Sequence, residues 1–140
     1  MANFIPNAIK NGLWNSGIPD LTTLTIKAMF IDHADDTPTA TDDFIDDFLS
    51  ASRVPAIASA PALASKTNGV VAVGTFDAAD TVFTTLSGDQ SESLILFEDS
   101  GSEATSDFVA RWDTATGLPL TPNGANVTVV WDVTGILTAA

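Results

Sequence analysis

The stretch from Leu86 to Asp132 constrains this chain more than any other. Three apolar runs, Ser93-Leu-Ile-Leu-Phe97, Phe108-Val-Ala-Arg-Trp112 and Val127-Thr-Val-Val-Trp131, are separated by segments rich in Gly, Ser, Asp, Asn and Pro. Punctuation at that spacing divides short strands. Leu94 to Phe97 is apolar without alternation, the pattern of a central strand covered on both faces. The other two runs alternate: Phe108, Ala110 and Trp112 against Val109 and Arg111, then Val127, Val129 and Trp131 against Thr128, Val130 and Asp132. The Trp-Asp dipeptides at 112–113 and 131–132 have a spacing that suits paired strands of one hairpin. Their indoles are then core or cross-strand residues, the alternative being an exposed contact with a partner.

Upstream, Leu24 to Ile31 is a further strand, with Leu24, Ile26, Ala28 and Phe30 on one face and Lys27, Met29 and Ile31 on the other. Thr41 is a candidate N-cap for Asp42-Asp-Phe-Ile-Asp-Asp-Phe-Leu49. Phe44, Ile45, Phe48 and Leu49 there make one apolar stripe at helical spacing. Arg53 to Leu63, with prolines at 55 and 61, suits an edge strand or extended connector. Asn68-Gly69 marks a turn, Val70 to Phe76 and Thr81 to Leu86 are strand candidates, and 135–138 suits a last edge strand. A short helical segment is expected from Asn7, ending near Gly12. The expected fold is mainly β, a β-sandwich or antiparallel sheet, with one short amphipathic helix around residues 41–50 packed on it.

A chain of 140 residues is expected to form a single domain, with residues 1–20 as a candidate extended N-terminal arm. The hydrophobic fraction of 45% supports a genuine core. There is no cysteine, so neither disulfides nor thiolate chemistry enters. Eighteen acidic side chains against five basic ones give a formal charge of −13. That balance argues against nucleic acid and against anionic membranes as partners, since no basic patch exists to meet phosphates. Basic protein surfaces, divalent cations or other copies of the chain suit it better. The first residues lack the charged and long apolar regions of a secretory signal, and no run approaches the ~20 apolar residues that would span a bilayer.

No motif for chemistry assembles. Asp42, Asp43 and Asp46 spell an Asp-Asp-x-x-Asp pattern, a weak candidate for Ca²⁺ or Mg²⁺ with Asp35 and Asp36 as a source of further oxygens, but EF-hand spacing is absent. The more economical reading is an acidic first turn of a helix. His33 is the one histidine, and no Gly-x-Ser-x-Gly elbow or phosphate-cradling loop accompanies it. The expectation is therefore no enzyme and no cofactor. For partner binding the candidates are Phe4, Ile5 and Pro6, whose apolar segment suits a docking arm or, alternatively, a terminal strand of the protein's own sheet. Trp14 is a further candidate.

The chain resembles small, acidic, β-rich virion structural proteins of tailed bacteriophages. The residues that carry the resemblance are Leu24–Ile31, Asp43-Phe44 to Leu49, Arg53-Val54, Ala62 to Thr67 and Phe76-Asp-Ala78. The most specific are Ser87-Gly-Asp-Gln-Ser-Glu92, Asp99-Ser-Gly101, Asp113-Thr-Ala-Thr-Gly-Leu-Pro119 and Thr121-Pro-Asn-Gly124. The ending, Val133 to Ala140, departs from the Asn-Gly-rich basic ending of that group. The resemblance implies a capsid decoration or cement protein on the virion exterior, made in the host cytoplasm, with the major capsid protein and copies of itself as partners. A neck, connector or tail component, or a β-sandwich module for a host surface, is the alternative.

Overall fold

The computed structural model describes residues 3–12 and 20–138. Among the described residues one α-helix, α1 (Asn7–Gly12), precedes nine strands: β1 (Ile26–Ile31), β2 (Arg53–Val54), β3 (Thr67–Asn68), β4 (Thr75–Asp77), β5 (Thr81–Phe83), β6 (Ser93–Glu98), β7 (Phe108–Trp112), β8 (Val127–Val129) and β9 (Leu137–Thr138). They form three antiparallel sheets, ordered β2-β1-β6-β7, β3-β4-β9 and β5-β8. The mainly β expectation is met.

β1 and β6 are the inner strands of the largest sheet, paired in register from Ile26 opposite Glu98 to Ile31 opposite Ser93. Their side chains divide between two cores. Ile26, Ala28, Phe30, Leu94 and Leu96 face one core, which is closed from the other side by Phe76 of β4, Phe83 of β5 and Leu86. Met29, Ile31, Ile95 and Phe97 face the second, closed by Ile45, Phe48, Ala60 and Phe108. The uninterrupted apolar run of β6 thus does what such runs do: both its faces are covered. Each fully buried Leu, Ile or Phe contributes about 1.5–3 kcal/mol, so these two strands carry much of the stability.

The alternation expected in β7 fails at its first residue. A bulge shifts the register so that Leu96 opposes Ala110 while Phe97 opposes Phe108. The extra residue turns Phe108 onto the face opposite Ala110, as bulges do. There Phe108 meets Phe48 and Phe4 edge-on, at centroid separations of 5.0 and 5.9 Å. Val109 and Ala110 both stay with the first core.

The helix expected over 41–50 is not formed. Ile45–Asp47 and Ser50–Ser52 are single 3₁₀ turns. Two competitors take the backbone. Asp47 Oδ2 accepts from the N–H groups of Asp43 and Phe44, and Asp42 accepts from the Thr39 N–H and hydroxyl. Short acidic side chains favour such local bonds over helix. Phe44 also bridges Asp107, with Ile45 N–H donating to Ser106 C=O and Phe108 N–H to Asp43 C=O. Ile45 and Phe48 still pack on the sheet, whereas Leu49 is exposed.

Three other expectations need adjusting or are met in part. Val70 to Gly74 is an exposed loop between β3 and β4, and only Thr75 onward is strand. The two Trp-Asp strands are not a hairpin: β7 pairs with β6 and β8 with β5. Trp112 and Trp131 meet instead across the first core, with centroids 5.8 Å apart. Arg53 to Leu63 does run along the outer edge of β1, through Phe30–Val54 and Lys27–Ala62 pairs, interrupted by a 3₁₀ turn at Ile57–Ser59. β9, on the edge of its sheet beside β4, matches the last strand expected there.

Candidate interaction surface

The N-terminal candidates lie on the protein's own sheet. Phe4 N–H donates to Arg111 C=O at 3.0 Å, and Arg111 N–H returns the bond to Phe4 C=O at 2.9 Å. Asn3 Oδ1 accepts from the N–H groups of Asp113 and Thr114 and from the Thr114 hydroxyl. Phe4 and Ile5 are half-buried and Pro6 is buried. Of the two readings of this segment, terminal strand and free arm, the residues from Asn3 adopt the former. With Phe44 bridging Asp107 further along, the outer edge of β7 is occupied at both ends, which protects it from adventitious strand pairing. Trp14 lies outside the described residues.

Beneath Phe4 is a polar cluster. Arg111 is 1% exposed, and its guanidinium stands 3.1 Å from Asp113 Oδ2, 3.4 Å from His33 Nε2 and 5.3 Å from the centroid of the Phe4 ring. His33 Nε2 also lies 2.9 Å from Ser93 Oγ, and the His33 N–H donates to Glu92 Oε2. Burial, and then the Arg111 charge, push the His33 pKa down. A histidine beside a serine hydroxyl has the spacing of a base and a nucleophile. Ser93, however, is fully buried in β6, where no substrate reaches it. The cluster is a charged rivet between β7, β6 and the N-terminal segment. Its sequence signal was a lone arginine within an apolar strand, between Ala110 and Trp112.

The acidic candidates are dispersed. Asp42 caps the Thr39 turn, while Asp43 and Asp46 are exposed. Among the described residues the carboxylates that converge are Asp32, Asp35 and Asp89, which bring one oxygen each within 4.8 Å of one another. Asp36 instead accepts from the Leu49 N–H.

Four of the five cations are drawn inward. Lys27 pairs with Asp99 at 2.7 Å and donates to Ile57 C=O. Arg53 pairs with Glu103 at 2.9 Å and donates to the carbonyls of Ile45 and Phe48. These pairs border a recess of about 440 Å³ between residues 50–58 and 99–106, whose charges are thereby matched internally. Lys66 donates to Leu24 C=O, and Arg111 is in the rivet. Lys10 alone of the five belongs to the exposed class.

No family model matches the chain, and no curated protein matches it. The site must therefore be read from its own chemistry. What the surface offers is carboxylate, with apolar side chains exposed singly at Leu49, Val82, Val130 and Val133 and as a run in one loop. Every residue from Asn68 to Gly74 is exposed, including Val70 at 74%, Val71 at 43% and Val73 at 96%. Scattered exposed valines are ordinary, but a contiguous apolar tip marks a contact surface. Among the described residues no helix is long and apolar enough to cross a membrane.

Proposed function

We propose that this chain is a non-enzymatic structural protein of a tailed-phage virion, a decoration or cement protein that binds the outer capsid lattice and stabilises it. The reading starts from the resemblance to phage virion proteins, which covers most of the chain and is strongest from Phe76 onward. The observation that supports it best is the charge distribution: four of the five cations are engaged in internal bonds, leaving a largely carboxylate surface on which the Val70–Val73 loop is a contiguous apolar run. Such a surface suits a basic protein face, is repelled by packaged DNA, and gives nucleic acid or an anionic membrane nothing to hold. The doubly covered sheet and the occupied outer edge of β7 suit a part that must endure on a shell without aggregating.

A host-surface binding module would favour an exposed aromatic cleft. Trp112 and Trp131 are half-buried against each other and the first core, and Trp131 Nε1 donates to Thr81 Oγ1, which supports a packing role for both. A neck, connector or tail placement differs from the lattice in copy number. Quantitative mass spectrometry of purified particles against the major shell protein tests this. A ratio within a few-fold of one is expected. A small ring number would move the protein to the neck or tail, and absence from the particles would remove the virion reading.

A further inference from the structure

From the exposure and charge of the β3–β4 loop we infer that Val70, Val71 and Val73 form a docking tip that inserts into an apolar recess with a basic rim on the capsid's outer surface; this rests on the lattice-binding reading above.

The loop is framed by two glycines in the left-handed region, Gly69 at φ 72° and Gly74 at φ 75°. Backbone bonds fix its base: Gly69 N–H donates to Thr75 C=O and Thr75 N–H to Ala72 C=O. β4 continues directly into the first core through Phe76, so the tip is mounted on the body of the protein. The four residues between the glycines, Val-Val-Ala-Val, carry no polar side chain and are all exposed. Apolar area held out in this way gains free energy only when a partner covers it.

Charge selects that partner. From Thr67 to Ala110 the chain contains no lysine or arginine, and Asp77 and Asp80 follow the loop directly. The nearest cation in sequence, Lys66, has its ammonium on the Leu24 carbonyl. The tip therefore belongs to a segment without a cation, in a chain of net charge −13. A second copy would bring its own −13 charge toward the first, and an anionic bilayer would do the same. A protein recess rimmed by lysine and arginine complements both features, with the valines supplying affinity and the carboxylates orientation and on-rate.

The test is cosedimentation of the purified protein with shells that lack it, comparing wild type, Val73→Asp, Val73→Ile and Leu49→Asp. Leu49 is also exposed, but it follows Phe48 of the second core whereas β4 joins the first, so its variant adds the same charge elsewhere. Val73→Asp is expected to weaken binding by about tenfold or more with an unchanged melting temperature, while Val73→Ile and Leu49→Asp bind like wild type. Raised ionic strength should weaken wild-type binding. Equal binding by Val73→Asp overturns the docking tip while leaving lattice binding in place. Failure of wild type to bind overturns both. Wild-type self-association, or flotation with neutral phosphatidylcholine vesicles, that Val73→Asp abolishes would replace the proposed occupant.

Discussion

The guanidinium of Arg111 lies 5.3 Å from the centroid of the Phe4 ring, and the backbones of the same two residues exchange a pair of hydrogen bonds. One residue near the start of the chain is thereby fastened to the last strand of the largest sheet, over a buried charge. A cation above an aromatic face gains up to ~2 kcal/mol when water is excluded. The same ring stands edge-on to Phe108, so the fastening is part apolar and part ionic.

Arg111→Ala should therefore cost about 3–5 kcal/mol, the usual result of removing one member of a buried ion pair. It deprives Asp113 and His33 of the charge they face. Arg111→Lys should recover only part of this, because an ammonium lacks the planar fork that spans these groups. Urea denaturation of the three proteins measures the order, and an alanine variant within about 1 kcal/mol of wild type would contradict the rivet.

Phe108 joins the N-terminal segment to the 3₁₀ turn by touching both Phe4 and Phe48. Phe108→Ala should lose about 3–5 kcal/mol. In a double-mutant cycle with Phe4→Ala the coupling should be about 0.5–1.5 kcal/mol, the range for edge-on ring pairs. Zero coupling would mean that the first residues do not rest on Phe108 in solution.

Two glycines separate backbone strain from collision. Gly135 has φ 108°, and a Cβ there would fall 2.0 Å from Thr75 Cγ2 and 3.3 Å from the Phe76 carbonyl oxygen. Gly117 has φ 95° with nothing within 4 Å of a built Cβ. Gly117→Ala should cost about 1–2 kcal/mol from conformation alone. Gly135→Ala should cost clearly more, because the β4–β9 pairing must open to admit the methyl group. Melting temperatures of the two variants decide this, and equal losses would refute it.

The pH dependence follows from opposed shifts. The folded-state pKa of His33 is lowered, by burial first. Its contribution to stability is present above the unfolded value near 6.5 and is lost as pH falls through the folded value. Glu98 and Asp107 are both raised, mainly by burial. The folded state then holds protons that the unfolded state releases, so these two groups favour folding on the acid side and oppose it as pH rises through their folded values. His33→Gln should flatten the decline in melting temperature between about pH 7 and 5. Glu98→Gln should raise the melting temperature slightly at neutral pH and not below the carboxylate range. The effect is small, under about 1 kcal/mol, because solvent screens this half-buried pair. A drop at neutral pH would reverse the assigned sign.

Local pattern revealed β1, β6 and β9, because period and composition act over a few residues. The uninterrupted Leu94–Phe97 run announced a two-sided strand, and the edge position of Arg53–Leu63 followed from its prolines. Where pattern misled, a distant partner had intervened. The 41–49 stripe has helical spacing, yet Phe44 is claimed by Asp107, more than sixty residues away in sequence. Val70 to Val73 reads as strand, but no partner strand covers it.

By itself the sequence determined a β-rich protein with a doubly buried central strand and a strongly anionic character, because burial pattern and net charge are written residue by residue. Only the tertiary structure decided that Phe108 changes face at a bulge, that Phe4 seals Arg111, and that four of the five cations turn inward while the three valines of the β3–β4 loop stay out. Those outcomes depend on which strands pair and in what register, and pairing is a competition among long-range contacts that no short window of residues contains.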